Sequence, residues 1–371
     1  MAKQFPYIGN SEIEQEAILE YLGIKSAEDL FVDIPKEYRD SNLSEIPSSI
    51  SEMQLVEHLT LLSEKNINPN PSKSFIGAGA YHHYIPSTVL SLAQRGEYLT
   101  SYTPYQAEVS QGTLQVTYEL QSLITELYGM DVANAGMYEG GSSLAEAALM
   151  ACRVKNIYKV ACLSTIAPRY KEVLRSYLTP QSIEIVFMDT NDVDMKKDEY
   201  ACLIVQYPNF YGSIEDMRAL SDTAHKSNSL FVVSADPLAA VMYKAPGDYG
   251  ADIVVGEGQG LGIPISFGGP YIGLFACKSE YLRQMPGRIV GKTVDKRGDS
   301  AFVLTLQTRE QHIRRERATS NICTSEALMG LMMTIYVATL GKSGLQQVAS
   351  SCFHNAHYAA EQISQIDGFE L

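Results

Sequence analysis

The sequence predicts an α/β fold in which a mostly parallel sheet is covered by helices on both faces. From about residue 74 onward, short β-rich runs alternate with longer stretches of helical character. The short runs are apolar along their whole length, which is typical of strands buried on both faces and connected by helices. With 371 residues, the chain is long enough to bury a sizeable core and to form more than one domain.

Residues 1 to about 67 precede this pattern and are predicted to be helical and polar. Asn10-Ser11 followed by Glu14 is typical of a helix start with a capping box, and the stretch from Ser26 to Asp29 has the same character. The sequence NPNPSK, from Asn68 to Lys73, interrupts any helix and predicts a linker. We therefore expect a helical N-terminal extension over residues 1–70.

Residues 71–340 are predicted to form the large α/β domain. Helices are expected from Thr113 to Tyr128 and from Ser142 to Lys155. Five apolar, β-rich runs are predicted as strands: Lys159 to Leu163, Ile183 to Phe187, Ala201 to Val205, Leu230 to Val233 and Asp252 to Val255.

An apolar helix rich in Met and Leu is expected from Thr324 to Gly341, and another helix from Ser343 to Gln365. These helices lead into residues 341–371, which are predicted to begin a smaller C-terminal domain.

Composition excludes several classes of protein. A formal net charge of −14 argues against a general nucleic-acid or anionic-membrane binder. No membrane span is predicted, and the N-terminus is too acidic for a transit peptide and lacks the apolar core of a signal peptide. The six cysteines form no CxxC pair, so we expect reduced thiols and a cytoplasmic location. The histidines form no HExxH motif, and no metal site is expected.

A strongly basic block stands out in this acidic chain. It lies within the run from Leu306 to Leu328, LQTREQHIRRERATSNICTSEAL. Concentrated positive charge indicates an anionic partner or a solvated face, and an exposed, salt-bridged helix is the alternative on residue types alone.

Three segments carry a resemblance to one known family. The basic run is similar to a signature of the glycine cleavage P-protein, a glycine decarboxylase that uses pyridoxal phosphate (PLP), in the form that is split into two subunits. Tyr102 to Thr113, YTPYQAEVSQGT, and Ile76 to Tyr81, IGAGAY, resemble the same family. The resemblance covers nearly the whole chain and points to subunit 1, the α subunit. It implies a PLP-transferase (fold type I)-like domain and a further C-terminal segment, so that the chain is expected to be truncated.

A PLP enzyme of this architecture needs a lysine for the Schiff base, a carboxylate for the pyridinium nitrogen, and backbone N–H groups at a helix N-terminus for the phosphate. Gly140-Gly141-Ser142-Ser143 opens a predicted helix and is a candidate phosphate cradle; a glycine-rich turn with a serine cap is the alternative. Asp236 follows a predicted strand, where the ring carboxylate would lie, although an Asx turn explains it equally well.

The lysine is missing from its expected place. The strand from Asp252 to Val255 is followed by GEGQGLGIP, in which Gln259 or Gly260 stands where the catalytic partner subunit of the family carries a His-Lys pair. Lys244 precedes that strand and Lys278 follows a later apolar run, so neither is well placed. We therefore expect no covalently bound PLP in this chain, and the resemblance implies that the β subunit holds it. The vestigial cofactor candidates are Gly141, Ser142, Asp236 and Gln259.

The motif YTPYQ is predicted to form a loop, because Thr103-Pro104 favours extended or turn geometry. Tyrosine hydroxyls and a glutamine amide suit a pocket that recognises a small zwitterion or positions a cofactor. The alternative is that both tyrosines cover a hydrophobic core with their hydroxyls at the surface. The resemblance implies that this motif reaches the active site at the α/β interface, with the contributions coming from Tyr102, Thr103, Tyr105 and Gln106.

The basic block offers candidates for substrate or interface contacts. Its side chains could attract the glycine carboxylate or line the approach of an acidic carrier domain, and at least half are expected to fix the subunit interface through salt bridges. These candidates are Arg309, His312, Arg314 and Arg315, with Asn321 beyond them. Thr319 or Asn321 is a candidate N-cap of the apolar helix that follows.

The resemblance implies an α2β2 heterotetramer with the β subunit. The complex would decarboxylate glycine and transfer the aminomethyl group to the lipoyl arm of H-protein. No nucleic-acid or membrane partner is expected. Two alternatives remain open, a self-contained homodimeric PLP enzyme acting on an amino acid and a non-catalytic scaffold for the β subunit. A well-placed lysine would favour the first of these.

Overall fold

The computed structural model describes residues 9–39, 46–67 and 77–370. The chain divides into two compact units, Met1–Ser74 and Phe75–Leu371. The predicted linker from Asn68 to Lys73 lies outside the described residues, as does Ile76. The division into residues 1–70, 71–340 and 341–371 stays a prediction.

The described part of the first unit contains two α-helices, each beginning at a side-chain cap, of which the sequence predicted the first. Helix α1 spans Glu12–Leu22, and Ser11 and Glu14 form a reciprocal capping box at its start. Helix α2, Glu52–Ser63, begins in the same way at Ser51. The Ser26 to Asp29 segment caps a short 3₁₀ turn, Ala27–Phe31, because Asp29 accepts from the Ser26 backbone while Ser26 accepts from the helix start.

The second unit is built on a sheet of seven strands. In chain order these are β1 Val132–Ala133, β2 Lys159–Leu163, β3 Glu184–Met188, β4 Cys202–Tyr207, β5 Leu230–Ala235, β6 Ile253–Glu257 and β7 Gly273–Cys277. Their spatial order is β1-β7-β6-β5-β4-β2-β3. Strands β2 to β6 are parallel, whereas β7 runs antiparallel to β6 and β1 runs antiparallel to β7. The predicted mostly parallel sheet is therefore confirmed, and the five predicted strands are present with small shifts at their ends.

Helices cover both faces of this sheet. They are α3 Ser87–Ala93, α4 Gly96–Leu99, α5 Gln111–Tyr128, α6 Gly140–Lys155, α7 Pro168–Leu178, α8 Met217–Lys226, α9 Pro237–Met242, α10 Gln311–Arg314 and α11 Ala327–Ser364. Side chains of α5 and α11 share a hydrophobic cluster with Leu203 and Val205, whereas α6 and α7 share another with Ile204. Successive residues of β4 thus point into different cores, as expected for a strand buried on both faces. A separate antiparallel hairpin, β8 Ile289–Val294 and β9 Ser300–Thr305, packs against α5.

Helix α11 differs from the expected helices in where it begins and how it continues. It starts at Ala327 with Glu326 at the N-cap position, so the prediction of an N-cap at Thr319 or Asn321 is wrong. The reason is local: the Ser320 hydroxyl accepts from the Ile322 backbone N–H and forms a turn before the helix. The run extends to Ser364 and is interrupted at Gly341, whose φ of 59° and ψ of −174° separate the two helical segments that the sequence predicted.

Among the described residues, α11 alone has the length and composition of a membrane span. Its first half, however, buries Leu331, Met333 and Tyr336 in the core beside α5 and the sheet. Buried helices of folded domains share the apolar character of membrane spans, so α11 is explained as a core helix.

The basic block does not form the continuous exposed helix that was considered as an alternative. It is divided into a 3₁₀ turn at Gln307–Arg309, the short helix α10, and a second 3₁₀ turn at Arg315–Arg317. Arg315 has a positive φ of 53°, which interrupts the helical path at that point.

Candidate functional site

A small cavity, here called the sheet pocket, lies at the carboxyl ends of β4, β5 and β6. Its volume is about 80 Å³. Ligand sites of parallel sheets are characteristically found at this edge. The polar side chains lining it are Tyr81, His83, Tyr170, Gln206, Ser234, Asp236, Glu257 and Gln259.

The N-terminus of α6 borders the sheet pocket, but its backbone donors are already engaged by carboxylates. The Gly140 N–H donates to Glu257 Oε2 at 2.9 Å, and the Ser142 N–H donates to Glu139 Oε1 at 2.8 Å. The Gly141 N–H donates to the other oxygen of Glu139. The N-cap of this helix is Glu139 rather than a serine, and the phosphate cradle at Gly140 to Ser143 stays a prediction.

Gln259 occupies the position at which a Schiff-base lysine would be expected. Both the oxygen and the nitrogen of its side-chain amide form hydrogen bonds within the protein. Its Oε1 accepts from the Tyr81 N–H at 2.8 Å, while its Nε2 donates to the carbonyls of Tyr81 and Ile263 at 2.9 and 2.8 Å. Only 1% of Gln259 is exposed. It therefore connects the 79–83 segment to the glycine-rich loop and has a structural role.

The two nearest lysines in sequence are engaged elsewhere. Lys244 Nζ lies 5.0 Å from the ring centroid of Tyr249, and Lys278 Nζ lies 2.5 Å from Asp252 Oδ1. None of the described residues that line the sheet pocket is a lysine.

Asp236 lines the sheet pocket and also caps α9, because its Oδ1 accepts from the Ala239 N–H at 2.8 Å. The ring-carboxylate position and the local-turn explanation are therefore compatible. Burial raises the pKa of Asp236, and the nearby His83 opposes that rise. Burial also lowers the pKa of His83, which favours the neutral imidazole beside this carboxyl group.

A larger cavity of about 250 Å³, here called the loop pocket, lies beside the YTPYQ segment. This segment has no regular structure, as predicted, and Tyr102 is 81% exposed. Polar groups of the pocket come from Ser101, Tyr102, Thr103, Thr113, Thr117, Arg288, Thr324 and Ser325. Its apolar wall includes Leu120, Val290, Leu304, Leu328 and Leu331.

Arg288 is the charged group of the loop pocket, and the sequence did not single it out. Its Nη2 donates to the Tyr105 hydroxyl at 3.1 Å, and its guanidinium carbon lies 5.4 Å from the Tyr105 ring centroid. Its Nε lies 3.4 Å from Glu310 Oε2 without hydrogen-bond geometry. His312 completes the group, because its ring packs edge-on against Tyr105 with the centroids 5.6 Å apart.

The other residues of the basic block have different surroundings. The Arg309 guanidinium donates to the carbonyls of Met285, Gly287 and Leu306, so it holds the chain before β8. Burial lowers its pKa. Arg314, Arg315 and Asn321 are exposed, and Gln106 is exposed at the start of a short 3₁₀ turn. The structure therefore brings His312 together with Tyr105, and leaves those four residues outside the cavity linings.

Comparison with known proteins identifies the family. A model of the glycine cleavage system P-protein matches residues 6–370. The chain belongs to the glycine cleavage system P-protein family. It is 48% identical over 373 residues to the probable glycine dehydrogenase (decarboxylating) subunit 1 of Desulforamulus reducens, covering 98% of this chain and 84% of that protein. A relative of the same name from Chloroherpeton thalassium is 47% identical, with 99% and 84% covered.

Solved structures agree with this assignment. The crystal structure of an inhibitor-bound glycine decarboxylase, a P-protein, superposes with a TM-score of 0.91 at 41% identity, covering 98% of this chain and 84% of that one. Sphingosine-1-phosphate lyase of Burkholderia pseudomallei gives a TM-score of 0.57 at 14% identity, with 88% and 79% covered, and shows the fold alone. The resemblance read from the sequence, the predicted class of enzyme and the fold type I-like architecture are thus confirmed.

P-proteins belong to a PLP-dependent system, but the sheet pocket of this chain does not fit PLP. Its described lining contains no lysine, and the N–H groups that a phosphate would require are bound to Glu139 and Glu257. Tyr81, His83 and Tyr170 were missed by sequence reasoning, because they come from separate segments that meet only in the folded sheet. Glu257 lies two residues before Gln259 but was not recognised as a site residue.

Proposed function

We propose that this chain is the α subunit of a two-subunit glycine decarboxylase and contributes the loop pocket to an active site that the β subunit completes. The observation that carries this proposal is the polar and aromatic group of Tyr102, Tyr105 and Arg288 in and beside an open cavity. The relatives named subunit 1 imply a second subunit, and the misfit of the sheet pocket with PLP supports a cofactor held by that partner.

The chemistry of the loop pocket suits the family substrates. The Arg288 guanidinium would attract the carboxylate of glycine, and the Tyr105 hydroxyl would keep the guanidinium in place. The apolar wall formed by residues such as Leu120 and Leu328 would accommodate the alkyl and dithiolane parts of the lipoyl arm of H-protein. PLP, held by the β subunit, would supply the electron sink for decarboxylation. The complex would be an α2β2 heterotetramer, and the free thiols support a cytoplasmic location.

The test is hydroxyl deletion in the assembled complex. Tyr102→Phe and Tyr105→Phe would be co-expressed with the β subunit and assayed with glycine and lipoylated H-protein, with Tyr84→Phe as control. Tyr84 is 86% exposed and lines neither pocket. We expect kcat/KM to fall about tenfold in either loop variant, the effect of losing one hydrogen bond worth about 1.4 kcal/mol in the transition state, and to stay unchanged in the control.

Size-exclusion chromatography of the same samples separates catalysis from assembly. Intact complexes with unchanged kcat and KM would refute the role of these hydroxyls. Loss of the complex in either loop variant would favour the scaffold alternative instead.

A further inference from the structure

We propose that the Glu257 carboxylate binds the N-terminus of α6 in place of a ligand phosphate. It thereby prevents phosphorylated molecules from binding in the sheet pocket. The sheet pocket shares no lining residue with the loop pocket, so this role is separate from the proposed catalytic one.

The backbone N–H groups at the start of α6 are bound to carboxylates. The first N–H groups of a helix have no partner within the helix and carry its positive partial charge, which is why phosphates bind there. In α6 the N–H of Gly140 is bound to Glu257, and those of Gly141 and Ser142 are bound to Glu139. Glu139 is an ordinary N-cap from the adjacent residue, whereas Glu257 arrives from the end of β6.

Two hydrogen bonds hold the Glu257 carboxylate in this position. Its Oε2 accepts from Gly140 at 2.9 Å, and its Oε1 accepts from the Gln259 N–H at 2.9 Å. Gln259 is itself held through Tyr81 and Ile263. The carboxylate is therefore clamped between α6 and the loop after β6, and it cannot leave without breaking both bonds.

Little free space surrounds the first two residues of α6. A side chain at Gly140 would clash with the Tyr170 hydroxyl and would lie 3.0 Å from Glu257 Cβ. At Gly141 a Cβ would lie 3.3 Å from the Tyr170 ring. Tyr170 and Glu257 thus pack closely against the first turn of α6 and leave no room for a side chain at Gly140.

Several carboxylates lie close to the start of α6 and to the sheet pocket. Glu257 and Glu139 face the same helix end, and Asp236 lines the same cavity. Burial raises the pKa of Glu257 to about 7, and the charge of Glu139 adds to the rise. A phosphate dianion would meet these carboxylates at short range, where like charges repel each other.

The experiment measures phosphate binding by this chain carrying Glu257→Ser or Glu257→Gln. Inorganic phosphate and PLP are the probes, pyridoxal is the phosphate-free control, and affinity is measured by calorimetry at pH 8. Glu199→Gln is the control variant, because Glu199 pairs with Lys159 outside the sheet pocket. We expect no detectable phosphate binding by the wild type and the control. Glu257→Ser should bind phosphate at least about tenfold more tightly, since a like charge at close range costs more than about 1.4 kcal/mol, and pyridoxal affinity should not change. Glu257→Gln keeps the volume of the side chain and an oxygen that can accept from the Gly140 N–H, so it should bind phosphate more weakly than Glu257→Ser.

Adding Gln259→Lys distinguishes the carboxylate from the missing lysine. Gln259→Lys alone should retain no PLP after borohydride reduction, whereas Glu257→Ser with Gln259→Lys should carry PLP at position 259, mapped by mass spectrometry. Stoichiometric PLP at position 259 in the single variant would overturn the proposal. So would a folded Glu257→Ser protein that binds phosphate no better than the wild type. If Glu257→Ser does not fold, Glu257→Ala, which also removes the carboxylate and most of the side-chain volume, decides by the same measurement.

Discussion

At the residue scale, Asp252 is a buried carboxylate with three hydrogen-bond partners. It is 2% exposed, and it lies 2.8 Å from His225 Nε2 and 2.5 Å from Lys278 Nζ while accepting from the Phe231 N–H. Burial alone would raise its pKa, but the hydrogen bonds from these three groups and the charge of Lys278 outweigh burial and lower it. The ionised form is therefore the one that the fold stabilises.

Removing one partner tests this balance. Lys278→Met leaves a buried carboxylate with one cationic neighbour fewer, so the free energy of unfolding should fall by about 2 kcal/mol at pH 7.5. Because the pKa of Asp252 is lowered in the fold, its stabilisation is present above the unfolded value of 3.8 and is lost as pH falls through the folded pKa. The difference in the free energy of unfolding between wild type and Lys278→Met should therefore become smaller towards pH 3. Urea denaturation at both pH values measures it, with the exposed Lys226→Met as control; equal stability of wild type and variant would contradict the ion-pair account.

Lys278 also shows why single residues are hard to place from sequence. The sequence placed it outside the cofactor site, and the structure agrees. Its partner could not be foreseen, because the pair depends on the register of β6 with β7, in which Ile253 lies opposite Cys277. Pairing between strands is set by the whole sheet rather than by neighbours in the chain.

At the scale of elements, two glutamines of α5 attach the β8–β9 hairpin to the rest of the unit. Gln121 exchanges two hydrogen bonds with the backbone of Val290, at 3.0 and 2.8 Å, and Gln111 does the same with Phe302, both at 2.9 Å. Each side chain acts as a further strand residue at one edge of the hairpin. Since Val290 and Leu304 line the loop pocket, these contacts also shape the candidate active site.

Gln121→Leu should reveal the importance of this attachment. The leucine keeps an apolar volume in a site that is 7% exposed but leaves the Val290 N–H and carbonyl without partners. We expect a loss of about 3 kcal/mol in the free energy of unfolding, because each orphaned buried group costs about 1–3 kcal/mol. Gln115→Leu, on the exposed side of the same helix, is the control. Chemical denaturation measures both, and a Gln121→Leu protein as stable as the control would show that the hairpin is held by apolar packing instead.

The elements that the sequence predicted are those with strong local signals. The apolar runs of β2 and β5 and the capping box of α1 are visible without knowledge of the fold. The β8–β9 hairpin was not predicted, since its strands are only partly buried and include polar residues such as Lys292. Its stability depends on the contacts with α5, which lie far away in sequence.

At the scale of the whole molecule, the sheet pocket is assembled from five separate parts of the chain. Asp236 and Gln259 could be placed there from the sequence, because they follow predicted strands and parallel strands end at one edge of a sheet. Tyr81 and Tyr170 could not, because they approach that edge from segments with no such signal. The same assembly places the half-buried Glu257 beside other acidic groups, which links the protonation of this one group to the stability of the entire unit.

Stability should therefore depend on pH through Glu257 in a direction opposite to that of Asp252. In the unfolded chain Glu257 loses its proton near pH 4.5, whereas the folded protein keeps it until about pH 7. Between these values the folded state holds more protons, so the contribution of Glu257 to stability falls as pH rises, by up to about 3 kcal/mol in total. Glu257→Gln cannot titrate, so the stability advantage of the wild type over this variant should be greater at pH 5 than at pH 8 by that amount. Urea denaturation across this range tests the expectation, with the exposed Glu119→Gln as control, and parallel curves for wild type and Glu257→Gln would show that Glu257 has an ordinary pKa and that its burial costs little.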